Sequence, residues 1–135
     1  MVTLAPRWRP EPVETVHEDC FGISFHGEIA ILAPSGAVEK LPWEFMESAT
    51  EAILPPLLFR DPPMVVVDLS EIDYCGSVFL SLLLRIEKAI RRRHGTMALC
   101  GIGPKPRELL RITSLDTLWA IYESREEAVE ALEAE

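Results

Sequence analysis

Residues 64–93 read MVVVDLSEIDYCGSVFLSLLLRIEKAIRRR, and this stretch decides the fold. Its first four residues form a short, valine-rich apolar run, which is typical of a strand buried on both faces. Residues 68–76 are rich in turn-forming types, and the apolar pattern from residue 78 to about residue 93 predicts a helix. Ser77 stands between the loop and the helix. Because backbone N–H groups are unpaired at a helix N-terminus, we expect the functional surface at this junction.

Strand and helix patterns alternate along the rest of the chain. Residues 20–32 alternate apolar side chains with small or polar ones around Gly27, which predicts a β-hairpin. The other predicted elements are a helix over 41–54 stopped by Pro55 and Pro56, a strand over 97–100, a helix over 106–112, a strand over 118–122 and a final helix opened by a capping box of Ser124 and Glu127. Strand–helix–strand units cross over right-handed and make neighbouring strands parallel. The order therefore predicts an α/β fold with a mixed, mostly parallel sheet of about five strands, covered by about four helices.

Length and composition predict a single soluble domain. The chain has 135 residues and a net charge of −9, and this acidic balance disfavours nucleic acid, whose phosphates need a basic face. No apolar run reaches the roughly 18–20 residues of a membrane span, and the first residues lack the apolar core of a signal peptide. We therefore expect a cytoplasmic protein with no membrane partner, a flexible or loosely packed tail over residues 1–19 and one domain over residues 20–135.

Cysteine and glycine usage gives no sign of a metal or cofactor site. The three cysteines, at positions 20, 75 and 100, have no paired spacing and form no C-x-x-C motif. This argues against a disulfide framework and against a zinc site. The Gly101-x-Gly103 segment lacks the later glycine of the dinucleotide-binding fingerprint. The sequence therefore predicts neither a metal nor a cofactor.

Four segments, in order along the chain, resemble the STAS domain, the fold of bacterial anti-sigma factor antagonists. They are Gly36-Ala37-Val38-Glu39, Val65-Val66-Val67-Asp68-Leu69-Ser70, residues 110–116 (LRITSLD) and residues 121–128 (IYESREEA). The resemblance runs from about residue 21 to residue 132. It implies a STAS-like fold and a transcription-regulating protein that is not an enzyme. It also implies a partner, either an anti-sigma factor with serine kinase activity or a related STAS-binding protein.

The functional motif of that family, Asp-Ser-Ser/Thr-Gly-Leu, falls on residues 76–80 (GSVFL). The resemblance places Ser77 at the serine that the partner kinase phosphorylates, while Gly76, Val78 and Phe79 depart from the pattern. A phosphate there would add about −1.5 to −2 charges to the docking surface and repel an acidic partner patch, while the helix N-terminus would tolerate it. The candidate partner-binding surface consists of Asp73, Tyr74, Gly76, Ser77, Val78, Phe79 and Leu80.

Several of these residues also have a structural interpretation. Ser77 is a good helix N-cap, a role that contributes about 1 kcal/mol. Gly76 fits a backbone with positive φ or a close approach, and Asp73 is expected to be a solvated loop residue. Val78 and Phe79 open a helix that is apolar over most of its circumference, so they belong either to a buried helix or to an exposed docking patch.

Three classes of function remain open. The leading hypothesis is a protein-binding module switched by phosphorylation at Ser77. The alternative is a phosphorylation-independent scaffold or assembly subunit that homo- or hetero-oligomerises, with homodimerisation through the apolar helix. The third is a thiol enzyme that uses Cys75, whose pKa a helix N-terminus could lower.

The basic run at residues 91–93 is expected to interact with the negative end of the helix dipole, and Gly95 is expected to be the C-terminal cap. We favour this structural role over a contact with nucleic acid or lipid.

Overall fold

The computed structural model describes residues 20–134, and the predicted tail over residues 1–19 lies outside this range. Within it, five strands and four α-helices follow one another. They are β1 (Phe21–His26), β2 (Ile29–Pro34), α1 (Met46–Leu57), β3 (Met64–Asp68), α2 (Ser77–Arg92), β4 (Thr96–Cys100), α3 (Pro104–Ile112), β5 (Ala120–Tyr122) and α4 (Arg125–Glu133). Short 3₁₀ turns lie between them at Gly36–Lys40, Trp43–Phe45 and Leu115–Thr117.

The strands form one sheet in the order β1-β2-β3-β4-β5. β1 and β2 run antiparallel, and β3, β4 and β5 each pair in parallel with the preceding strand. The hairpin turns after His26, where Gly27 adopts a φ of 63°, a backbone angle that residues with a Cβ rarely adopt. The structure thus confirms the predicted mixed, mostly parallel sheet and its opening hairpin.

The valines of β3 belong to two separate layers of core. Val65 and Val67 are buried in the larger core, to which α1, α2 and α3 contribute, whereas Val66 is buried in the smaller core beneath α4. This alternation follows from the two-residue period of a strand that is buried on both faces. α4 therefore covers one face of the sheet, and the other three helices lie on the opposite face.

The prediction for α1 is wrong at both ends. The helix begins at Met46, five residues later than predicted, because residues 36–45 form two 3₁₀ turns. Pro55 and Pro56 lie inside the helix and do not stop it. A proline lacks an N–H but keeps a carbonyl acceptor, and the Leu58 N–H donates to the Pro55 carbonyl oxygen at 3.2 Å. The last turn therefore closes around both prolines.

α2 confirms the predicted helix to within one residue, but its C-terminus differs from the prediction. The helix ends in a Schellman motif, in which the Gly95 N–H donates to the Ile90 carbonyl and the His94 N–H donates to the Arg91 carbonyl, both at 2.9 Å. The residue with positive φ is His94, at 60°, and not Gly95. Gly95 is needed for close packing instead, because a Cβ there would overlap the Pro63 carbonyl oxygen.

The C-terminal third departs from the predicted bounds by two residues in two elements. α3 begins at Pro104, since a proline at the first helical position loses no intrahelical hydrogen bond. β5 begins at Ala120 because a 3₁₀ turn and the buried Trp119 precede it. One half of the predicted capping box of α4 is confirmed, since the Ser124 hydroxyl accepts the Glu127 N–H at 3.1 Å. The other half differs, because the Glu127 carboxylate accepts the Glu123 N–H and not that of Ser124.

Candidate functional site

Asp68, the last residue of β3, anchors the loop that leads to α2. One of its carboxylate oxygens accepts the Ser70 N–H at 3.0 Å, and the other accepts two guanidinium nitrogens of Arg125, both at 2.9 Å. Asp68 is only 8% exposed. Burial raises the pKa of this carboxyl, but the hydrogen bonds from Ser70 and Arg125 outweigh it and hold the pKa below its usual value. The carboxylate therefore stays ionised and ties the start of the loop to α4.

Ser77 is the first residue of α2, and its hydroxyl does not cap the helix. Gly76 occupies the N-cap position, so the N-cap prediction for Ser77 is wrong. In the part of the chain that the structure describes, the Ser77 hydroxyl makes no hydrogen bond; the main-chain carbonyl of Ser77 accepts the Ser81 hydroxyl at 3.0 Å. The exposed hydroxyl is therefore free to react or to bind.

Gly76 does not have the positive φ that the sequence suggested. Its φ of −94° and ψ of −178° describe extended backbone that other residues also adopt. The alternative expectation, a close approach, agrees with the structure. A Cβ on Gly76 would lie 3.3 Å from the Tyr74 ring, so a larger residue would press against that side chain.

The predicted surface residues divide into an exposed and a less exposed set. The exposed members are Asp73, Tyr74, Ser77 and Val78, and the buried or half-buried members are Gly76, Phe79 and Leu80. Tyr74 is 60% exposed and Val78 is 38% exposed, whereas Phe79 is 5% exposed and packs in the larger core. Phe79 therefore belongs to the buried helix, whereas Val78 is exposed, and docking of a partner at Val78 stays a prediction.

A groove of about 300 Å³ lies beside Ser77. It is lined by Val38, Glu39, Leu41, Tyr74, Gly76, Ser77, Val78 and Phe79. Glu39 joins the 3₁₀ turn at Gly36–Lys40 to the loop, because its carboxylate accepts the Tyr74 N–H at 3.3 Å across 35 residues of sequence. In the sequence Glu39 stands in a family-like segment far from Ser77, and only the fold brings the two residues together. No local pattern carries that long-range contact.

Cys75 lies in the same loop with its thiol buried. Burial, and to a smaller extent the Glu39 carboxylate, raises the pKa of the Cys75 thiol to about 11. A nucleophilic thiol needs the opposite, a lowered pKa and access to solvent. The environment of Cys75 thus contradicts the expectation of a lowered pKa on which the thiol-enzyme hypothesis depends.

Within residues 20–134, no group of three or more histidine, cysteine, aspartate or glutamate side chains is arranged to hold a metal ion. Nor does any helix there combine the length and the apolar content that a membrane crossing requires. The site thus consists of an exposed hydroxyl, the unpaired N–H groups of a helix start and an apolar rim.

Sequence comparison gives one family and one similar relative. The sequence model of the STAS domain matches residues 15–128. Over 67 residues the chain is 34% identical to BtrV of Bordetella bronchiseptica, a candidate anti-sigma factor antagonist. That alignment covers 50% of this chain and 58% of BtrV, so the chain spans little more than half the length of this relative.

Solved structures share the same fold. The anti-sigma factor antagonist (STAS) domain protein of Planctomyces limnophilus is 26% identical, with a TM-score of 0.72 over 82% of this chain and 96% of that chain. A structure from the stressosome, a signal integration and transduction hub, is 17% identical, with a TM-score of 0.66 over 84% and 96% of the two chains, which shows a common fold alone. The family match covers most of the sequence, and the five-stranded sheet agrees with it. The chain therefore belongs to the STAS domain family.

Proposed function

We propose that this STAS domain is a cytoplasmic protein-binding regulator that docks an anti-sigma-type serine kinase around Ser77 and is switched by phosphorylation of that residue. The observation that carries the proposal is the state of the Ser77 hydroxyl. A kinase must reach this oxygen. In the described residues the hydroxyl is exposed at the first turn of α2, and no hydrogen bond within the protein has to break before it reacts.

The start of α2 supports a phosphate without a change of fold. The first intrahelical bond runs from the Leu80 N–H to the Gly76 carbonyl at 3.0 Å. The preceding N–H groups of the helix have no carbonyl partner one turn back, and they point out of its N-terminal end. Together with the positive end of the helix dipole, they stabilise an added dianion. Phosphorylation would then change the charge of the docking surface and leave the domain folded.

Of the three residues that depart from the family motif, Gly76, Val78 and Phe79, not all change the surface that a partner would contact. Phe79 is buried, so it fills the core and does not reach a partner. Val78 and Tyr74 remain exposed and supply the apolar contact area that protein interfaces place at their centre. Glu39 lies on the same groove, so a phosphate on Ser77 would join a carboxylate and make the groove strongly acidic. An acidic partner surface would then be released.

Phosphate mapping joined to a capture experiment tests this proposal. The chain isolated from its own cells should carry one phosphate, and peptide mapping should place it on Ser77. As bait in an extract of the same cells, Ser77→Ala should retain a serine kinase that Ser77→Asp loses. Ser114→Asp is the matched control, because it adds the same charge at an exposed position outside α2 and outside the groove beside Ser77. Equal capture by Ser77→Ala and Ser77→Asp, or a Ser77 that never carries phosphate, would contradict the switch.

The second candidate function is a scaffold subunit that assembles without phosphorylation. Its support is the likeness to a stressosome structure and the exposed Val78, which stands where the family motif has a hydroxyl. Size-exclusion chromatography with light scattering, run on each variant with and without the captured partner, separates the two functions. A large assembly that forms equally with Ser77→Ala and Ser77→Asp favours the scaffold only if no partner binding follows the charge at residue 77, and a partner whose binding follows that charge favours the switch.

A further inference from the structure

The C-terminal half of α2 concentrates positive charge on an acidic chain. Residues 85–93 hold five basic side chains and one carboxylate, a local charge of +4, whereas the whole chain carries −9. All five basic residues are exposed. The single carboxylate, Glu87, is already bound to Arg91. Lys88 and Arg92 have no ion-pair partner within residues 20–134.

Three of these five basic side chains line a shallow groove on the outer side of α2. The groove has a volume of about 460 Å³ and is formed by Leu84, Glu87, Lys88, Arg91 and Arg92. Leu84 is exposed, and the aliphatic stems of lysine and arginine extend its apolar surface. Such a surface fits an amphipathic helix that brings carboxylates to the basic head groups.

An acidic helix of this kind is present in the chain itself, at α4. Residues 123–133 expose five carboxylates, on Glu123, Glu126, Glu127, Glu130 and Glu133. The one basic residue of this segment, Arg125, is bound to Asp68, so it does not neutralise them. Glu126 and Glu130 stand four residues apart on one helix face and repel each other. Neither has an ion-pair partner in the described part of the chain.

We infer that the basic groove of α2 in one copy of this chain binds the acidic face of α4 in a second copy. One molecule cannot make this contact by itself, because α2 and α4 lie on opposite faces of the sheet. The groove holds three cations and one carboxylate, a net charge of +2, and residues 123–133 carry −4, so the two surfaces are complementary. A contact between two different surfaces is heterologous, so each added copy leaves one groove and one acidic face free and the copies join head to tail.

This inference does not depend on the proposed function. Ser77 lies about 16 Å along the helix axis from Lys88, at the other end of α2. Failure of the self-association would leave the phosphorylation switch untouched, and the reverse also holds. The two proposals are therefore tested by separate measurements.

Sedimentation equilibrium of the full chain is the first test. In about 0.1 M salt the average mass should rise with concentration above the 15.2 kDa of one chain. In about 1 M salt it should return to that value, because the Debye length falls from about 10 Å to about 3 Å. A mass that stays at 15.2 kDa up to millimolar concentration in the lower salt would overturn the inference.

Charge reversal then identifies the two surfaces. The double variant Lys88→Glu, Arg92→Glu and the double variant Glu126→Lys, Glu130→Lys should each be monomeric alone. Mixed, they offer two complementary contacts, because the intact α4 face fits the intact groove and the reversed α4 face fits the reversed groove, so the mixture should assemble again. An assembly that persists in either variant, or a mixture that stays monomeric although the wild type assembles, would overturn the inference.

A matched control separates a local effect from a change in total charge. Lys40→Glu with Lys105→Glu makes the net charge more negative by the same amount as Lys88→Glu with Arg92→Glu, but at exposed positions outside α2 and α4. This variant should assemble like the wild type. Loss of its assembly would mean that net charge alone governs association and that the groove has no specific role.

Discussion

Removing the guanidinium of Arg125 should destabilise the domain by breaking its bond to the buried Asp68. Methionine preserves much of the apolar stem of arginine, so Arg125→Met mainly deletes two hydrogen bonds of 2.9 Å to one carboxylate oxygen. Hydrogen bonds to charged groups contribute about 1.5–3 kcal/mol, and breaking a fully buried ion pair costs about 3–5 kcal/mol. The Arg125 side chain is 41% exposed, so water screens the pair. We therefore expect the free energy of unfolding to fall by about 2 kcal/mol at neutral pH.

The same loss should diminish in acid. Because the fold holds the pKa of Asp68 below its unfolded value, the pair contributes stability that is complete above about pH 4. That stability disappears as the pH falls through the folded-state pKa, so the difference between the wild type and Arg125→Met should shrink progressively below about pH 4. Urea denaturation at neutral pH and over a series of acidic pH values measures both effects.

Arg111→Met provides the control for this experiment. It removes a guanidinium that makes two bonds to Glu108 on an exposed helix surface, where ion pairs contribute little. The free energy of unfolding should then stay unchanged within error. The argument from burial would be refuted if Arg125→Met and Arg111→Met lowered the free energy of unfolding equally. It would also be refuted if the loss caused by Arg125→Met did not change with pH.

Three other predictions concern single residues. Gly95→Ala should lower the free energy of unfolding by more than about 2 kcal/mol, because the new Cβ would overlap the Pro63 carbonyl; a thermal transition unchanged from the wild type would contradict this. Ser124→Ala should cost about 1 kcal/mol in urea denaturation through loss of the bond to the Glu127 N–H, and no cost would mean that the cap is dispensable. Cys75, whose pKa is raised to about 11, should resist alkylation near pH 8 in the folded chain and react in urea. Mass spectrometry would show the opposite if the thiol were activated.

Elements that depend on near neighbours could be predicted from the sequence. The valine run of β3, the turn at Gly27 and the cap at Ser124 each follow from residues a few positions apart, and the structure confirms all three. The end of α1 could not be predicted in this way. Pro55 and Pro56 indicate a stop on local grounds, but Leu57 is fully buried and its packing keeps the last turn in place. Tertiary packing outweighs the local preference there.

The candidate site shows the same division. The order of the motifs placed Ser77 at the start of α2, but assigned it to the N-cap instead of to the first helical position. Apolar periodicity predicts which face of a helix is buried, but it does not fix the residue at which the helix begins. In α2 the extended backbone of Gly76 makes Ser77 the first helical residue. Glu39 reaches the groove only because the 3₁₀ turn at Gly36–Lys40 folds back onto the loop. Contacts of that kind leave no local trace in a sequence.

The two ends of α2 should act independently of each other. The buried side of the helix holds it against the sheet through Leu82, Leu83 and Ile86, so a charge added at Ser77 cannot move the basic groove by shifting the helix. The remaining route is electrostatic, and about 16 Å of helix exceeds the Debye length of about 10 Å in 0.1 M salt. Ser77→Asp should therefore leave the association constant of the copies unchanged at that salt. In about 0.01 M salt the Debye length is about 30 Å, and the same variant should associate more weakly because the added carboxylate reduces the positive potential of the groove. A loss of association that is as large in 0.1 M salt would show that the helix itself moves, and the two ends would then form one coupled switch.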